Sequence, residues 1–124
     1  MIGDLFNNNR KRDVCTRLDQ VMRFGKKWRQ DKNTGYYVCT TTDESGNRRR
    51  LHDVLWEHEN IAGIKNIPEG YVIHHIDWNK THNEINNLTC ISVFGHNLIH
   101  NPPKNGSDYK VKIVPGGVSE VIHV

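Results

Sequence analysis

The chain has 124 residues, of which 35% are hydrophobic and 25% charged, and a formal net charge of +3. That is one domain's worth of sequence, too short for two large lobes and too rich in aliphatic and aromatic side chains for a wholly disordered segment. No apolar run approaches the roughly 20 residues that span a bilayer, and residues 1–9 lack a charged start followed by a long apolar stretch, so neither a membrane protein nor a secreted precursor is expected.

Cys15, Cys39 and Cys90 are an odd number of cysteines with no C-x-x-C spacing. They support neither a disulfide framework nor a thiolate zinc site, and a reducing cytoplasm is the expected compartment. Charge is unevenly spread: residues 1–50 carry 12 basic and 6 acidic side chains, residues 51–124 carry 5 and 8. The basic residues cluster as Arg10, Lys11, Arg12, then Arg23, Lys26, Lys27, Arg29, then Arg48, Arg49, Arg50. Blocks of this kind neutralise phosphates and release counterions, although a solvated basic surface has the same composition.

In chain order, Leu18, Val21, Met22 and Phe24 are spaced as the apolar face of a short helix ending near Gly25. Residues 36–42 (YYVCTTT) read as a strand, 43–47 (DESGN) as a turn, and 48–51 as the return strand of a hairpin. Residues 52–60 read as a helix with Leu51, Leu55 and Trp56 on its core face, closed off by Gly63 and Pro68. A Pro68-Glu69-Gly70 turn leads into a strand at 71–76 and a polar loop at 77–87. A strand at 88–92 and a short helix at 93–100 follow, with Ser92 as N-cap and Pro102-Pro103 as the stop. Residues 109–114 and 118–124 read as a last hairpin around Pro115-Gly116-Gly117. Cys39 and Cys90 are expected as small buried groups.

Five of the eight histidines, His74, His75, His82, His96 and His100, lie within one 27-residue span. An imidazole serves either as a general base near neutral pH or as a nitrogen ligand for a transition metal. The order strand, loop, strand, helix brings His74 and His75 towards His96 and His100, and the latter two share one helical face. Histidines also cluster on ordinary surfaces, so the spacing alone settles nothing.

The residues around them are more specific. Arg50-Leu51-His52, Leu55-Trp56-Glu57, the segment from Ile67 to Asp77 (IPEGYVIHHID), Asn79-Lys80, Asn83, Asn87-Leu88 and Gly95-His96-Asn97 resemble phage-type HNH endonucleases. These include small free-standing or intron-borne homing enzymes with a ββα-metal (His-Me finger) core. The resemblance covers residues 28–101, more than half of the chain.

The resemblance implies an α+β fold in which residues 51–101 form the ββα-metal core. Residues 1–50 would be a basic helix-and-hairpin extension and 102–124 a C-terminal tail. His75 matches the general base, His74 a metal ligand, and His96, 21 positions after His75, a second ligand on the helix. Asn87 matches the central asparagine that pins the loop and orients the active-site strand. Asn97 and His100 match positions that touch phosphate or support the site, and Asn83 a structural loop asparagine. Arg48, Arg49, Arg50, Lys26, Lys27 and Arg29 are the expected DNA contacts. Two positions depart from the family pattern: His82 replaces a loop asparagine, and Trp78 stands where glycine is common.

The implied reaction is metal-dependent hydrolysis of a DNA phosphodiester, leaving 5′-phosphate and 3′-hydroxyl ends. A neutral imidazole with a pKa of about 6.5 suits deprotonation of the attacking water. One divalent cation on two imidazoles would stabilise charge on the phosphate and the leaving oxygen, with the rest of its shell open. Mg²⁺ or Mn²⁺ is the expected ion, with Zn²⁺, Ni²⁺ or Co²⁺ as alternatives that two imidazoles favour on intrinsic affinity. The partner is double-stranded DNA, the working compartment the host cytoplasm of a phage, and the state a monomer or a homodimer. Two rivals stand beside this reading: an inactive DNA-binding module of the same fold, and a structural zinc-binding domain. Adjacent strand residues face opposite sides, so a pocket shared by His74 and His75 requires the strand to end or twist at the pair.

Overall fold

The computed structural model describes residues 20–104 and 106–124 as a mixed α+β chain with small antiparallel sheets and two helices. It divides at Leu51/His52 into two compact units. Arg10–Arg12, Cys15 and Leu18, invoked above, lie outside the described residues. Among the described residues, no helix is long and apolar enough to cross a membrane.

The first unit is a three-stranded antiparallel sheet of β1 (Gln20–Arg23), β2 (Lys26–Gln30) and β3 (Tyr37–Cys39). The helix expected around Val21, Met22 and Phe24 is therefore a strand. Phe24 (φ 55°) and Gly25 (φ 69°) form a two-residue loop with positive φ at both positions, the geometry that matches the twist of paired strands, and Arg23 pairs with Lys26 across it. Pairing with β2 supplies hydrogen bonds and neighbours that a single helical turn, with its costly nucleation, could not. Trp28 sits opposite both Val21 and Cys39 and is 1% exposed, the anchor of this sheet. Its indole N–H donates to Arg23 O at 2.9 Å.

The expected return strand at 48–51 shrinks to one bridge between Val38 and Arg50. The 43–47 turn does form. Asp43 Oδ1 accepts from Ser45 N at 2.9 Å and Asn47 N at 3.0 Å, and Gly46 takes φ 82°. Beyond it, Leu51 already opens the first helix, so no length remains for a strand.

Helix α1 (Leu51–Glu59) buries Leu51, Leu55 and Trp56, the i, i+4, i+5 face expected from their spacing. In the second unit, β4 (Tyr71–His75) pairs antiparallel with β5 (Leu88–Ser92), placing His74 opposite Thr89 and His75 opposite Leu88. Helix α2 (Val93–His100) follows directly, and Ser92 Oγ caps it by accepting from Gly95 N at 3.1 Å. Strands β6 (Tyr109–Lys112) and β7 (Glu120–His123) make the last hairpin.

Residues 102–124 belong to this second unit. Gly116 N donates to Leu88 O (2.7 Å), Cys90 N to Gly117 O (2.9 Å) and Ser119 N to Cys90 O (2.8 Å), so the segment before β7 runs along β5. The Trp56 indole N–H also donates to Gly117 O at 3.1 Å. Leu55, Trp56, Leu88, Cys90 and Ile91 are fully buried around this seam, with Ile73 7% exposed. Burial pushes the Cys90 thiol up to about 11, so this cysteine behaves as an apolar core group.

Candidate metal centre

The hairpin and the helix after it bring three histidines together. His74 lies on β4, and His96 and His100 lie one turn apart on α2. The His74 ring is 5.3 Å from that of His96 and 5.4 Å from that of His100, and the last two are 4.2 Å apart. One ring nitrogen from each lies within 4.8 Å of the others, so the cluster could hold a metal ion. His74 is buried, His96 half-buried and His100 exposed.

Gly95 sets the approach of α2. A Cβ there would stand 2.7 Å from Val121 Cγ2 and 3.0 Å from two side-chain atoms of Ile91. Any larger residue would force Val121 and Ile91, or the helix that carries His96, to shift.

The electrostatics suit a cation. Burial, then the neighbouring imidazoles of His96, His100 and His75, lowers the His74 pKa to about 4. Burial and His100 lower that of His96. Both rings are therefore neutral at pH 7, the form that ligates. Metal–nitrogen bonds of about 2.1 Å place ligand nitrogens roughly 3–3.5 Å apart, so the rings must draw in by about an ångström.

His75 takes another direction. Strand β4 ends at His75, as the pairing of the two histidines requires, and the chain turns at Ile76; the three-histidine cluster includes His74 and His96 but not His75. The His74 ring meets α2, whereas the His75 ring lies 4.8 Å from that of His52 on α1, and its Nε2 is 2.9 Å from Asn83 Oδ1. This is the ordinary alternation of a strand. An amide oxygen at that position accepts, so His75 carries its proton on Nε2 and its lone pair on Nδ1. Burial lowers the His75 pKa, opposed by the Asn83 hydrogen bond. His75 is therefore a buried, neutral imidazole next to His74 in the chain and outside the three-histidine cluster.

Asn87 ties down the loop between the two strands. It is 6% exposed; its Nδ2 donates to Asp77 Oδ1 (3.0 Å) and His82 O (2.9 Å), and its Oδ1 accepts from Asp77 N (3.2 Å). All its hydrogen bonds run to the loop, which makes it a positioning residue. His82 has its own partner: its Nδ1 is 2.7 Å from Asp77 Oδ2. That contact, chiefly, lowers Asp77 to about 2 and raises His82.

Trp78 packs at 4.1 Å from the His100 ring and 5.8 Å from that of His74, yet stays 58% exposed. Its φ of 66° is unusual for a bulky side chain and costs about 1 kcal/mol or more relative to an ordinary backbone.

The other expected site residues are more dispersed. Asn97 is exposed on α2, its carbonyl accepting from Asn101 N at 2.8 Å. Lys26, Lys27 and Arg29 are exposed on β2. Arg48 turns its guanidinium back onto the carbonyls of Thr40 and Cys39. Arg50 lies 4.9 Å over the Tyr36 ring, and Arg49 is half-buried. His100 lies with His74 and His96 in the group that could hold a metal ion. His52, 3% exposed, was not anticipated; its signal was its position three and four residues before the core residues Leu55 and Trp56. Comparison with family models, curated proteins and solved structures finds no match to this chain.

Proposed function

We propose that the chain is a metal-dependent DNA endonuclease of HNH type, with β4, β5 and α2 as its ββα-metal core. The observation that carries this reading is the three-imidazole cluster of His74, His96 and His100, in which burial keeps His74 and His96 neutral, with a neutral His75 held by Asn83 next to His74 on the strand. Three donors favour an open site over a structural one, which takes four protein ligands. Among the described residues, no fourth histidine, cysteine or carboxylate joins this cluster.

A bound cation would supply charge stabilisation at the phosphate and the leaving oxygen. The protein's own residues do the rest. His75 Nδ1 takes the proton of the attacking water, while Asn83 fixes the ring through Nε2. Asn87 holds the loop after β4, and therefore the direction in which His75 leaves the strand. Three imidazoles favour Zn²⁺, Ni²⁺, Co²⁺ or Mn²⁺ over Mg²⁺ more strongly than two would, which moves the expected ion from Mg²⁺ towards the transition series. The exposed Lys26, Lys27 and Arg29 are proposed phosphate contacts, for which DNA binding should weaken as salt rises.

The test is a plasmid-nicking assay across Mg²⁺, Mn²⁺, Co²⁺, Ni²⁺ and Zn²⁺, with wild type beside His75→Ala. Nicking that EDTA stops, and that His75→Ala lowers by about a hundredfold or more while DNA binding survives, is the expected result. Supercoiled plasmid left intact under every metal would reject the enzyme. Unfolding on chelation would instead point to a structural zinc site.

A further inference from the structure

Trp78 combines three properties that ordinary packing does not require together. Its backbone is left-handed at φ 66°, its ring rests on the metal cluster through His100 at 4.1 Å, and 58% of its surface faces solvent. A side chain wanted only as core would be buried, as Trp28 and Trp56 are at 1% and 0%. A residue wanted only for the turn would be glycine, which takes positive φ without steric cost. The turn itself is fixed by Trp78 N donating to His75 O at 3.0 Å, so the indole is held at the rim from both backbone and ring.

We infer that Trp78 is a stacking platform for the nucleotide beside the phosphate at the His74–His96–His100 cluster, an inference that rests on the proposed phosphodiester substrate. An exposed aromatic ring held next to a phosphate-binding centre meets the flat face of a base or sugar, whatever the sequence. The His100 ring lies against the indole at 4.1 Å, tilted by 55° to it. A stacked nucleotide fixes the phosphate's neighbour and so limits how the scissile group can turn within the site.

The three tryptophans make the test optical, because Trp28 and Trp56 are buried and only Trp78 is open to a stacked base. A mixed-sequence DNA duplex is titrated into the full chain at low salt in EDTA, with emission and the anisotropy of labelled DNA read together. Emission should be quenched as DNA binds, and Trp78→Phe should bind DNA without that quenching. Trp78→Gly removes the indole and relaxes the backbone, so it should fold at least as well while binding DNA roughly tenfold more weakly. Trp78→Tyr should recover most of the affinity.

DNA binding by wild type with unchanged emission, or Trp78→Gly binding as tightly as wild type, overturns the inference. So does a Trp78→Gly variant whose only loss is Co²⁺ affinity, which would make the indole a mere wall for His100. If Trp78 emission responds to DNA but plasmid is never nicked, stacking stands and the nuclease reading falls. If wild type binds no DNA, both fall.

Discussion

Asn87 and Asp77 are joined in both directions: the amide of Asn87 donates to the Asp77 carboxylate at 3.0 Å, and the Asp77 backbone N–H donates to the Asn87 carbonyl at 3.2 Å. With the third bond to His82 O, one buried side chain fastens both ends of the loop that follows the histidine pair. Asn87→Ala should cost about 2 kcal/mol in urea denaturation, from the buried partners it strands. Asn87→Asp should cost more, since it faces the Asp77 carboxylate and cannot donate. A loss within about 0.5 kcal/mol for either would show that the loop is held by other means.

The three histidines of the cluster are graded by burial, and on the proposed metal-binding role their removal should be graded too. His74→Ala should abolish binding of Co²⁺ followed by its visible absorption, and His96→Ala should nearly do so. His100→Ala should weaken it by roughly ten- to a hundredfold, with the chain still folded by circular dichroism. Equal affinity in wild type and His100→Ala would return His100 to a supporting role.

The metal-free protein should lose stability as pH falls below 7. His74 titrates at about 4 when folded and near its ordinary 6.5 when unfolded, so between these values the unfolded chain binds more protons. His75 and His96 are lowered in the same direction. Thermal melting in EDTA should therefore fall steadily from pH 7 to pH 4. A melting temperature unchanged over that interval contradicts the burial of these rings in the neutral state.

The Asp77–His82 pair carries the opposite signature at its two ends. Asp77, lowered to about 2, contributes stability above its ordinary value of 3.8 and loses it as pH falls towards 2. His82, raised above 6.5, contributes below that value and loses it as pH rises through its folded pKa. Both groups are half-exposed, so the effect on global stability should be small. Nuclear magnetic resonance should show His82 titrating above 6.5 in wild type and returning towards it in Asp77→Asn.

Gly95→Ala should destabilise the second unit by about 1 kcal/mol. Overpacking against Val121 and Ile91 outweighs the better helix propensity of alanine. Co²⁺ affinity should drop with it, because the displaced helix carries His96. A variant as stable as wild type would mean that Val121 yields freely.

Much of this architecture is legible in the residues, for local reasons. Ser92 as a cap, Leu51, Leu55 and Trp56 as a helical face, and the alternating strands on either side of the asparagine-rich loop each follow from short-range chemistry. Where the reading failed, a longer-range partner decided. Val21 and Met22 can be spaced on a helix, but Trp28 pairs across the Phe24-Gly25 loop and makes them a strand. Arg48–Arg50 does meet the open edge of β3 through the Val38–Arg50 bridge, but α1 begins at Leu51 and leaves no length for a full strand. In the site, the one-turn spacing of His96 and His100 is plain in the sequence. The divergence of His74 and His75 follows from strand alternation, but their destinations do not. Those depend on what α1 and α2 bring to each ring: His52 beside His75, and His96 and His100 beside His74.

The buried-to-exposed ordering of His74, His96 and His100 gives the cluster a doorway. An ion reaching it from solution would meet His100 first and settle inwards onto His74, and it would depart along the same route. Exchange of one cation for another would then need no opening of the fold, so the identity of the occupant would follow the ionic content of its surroundings rather than the history of folding.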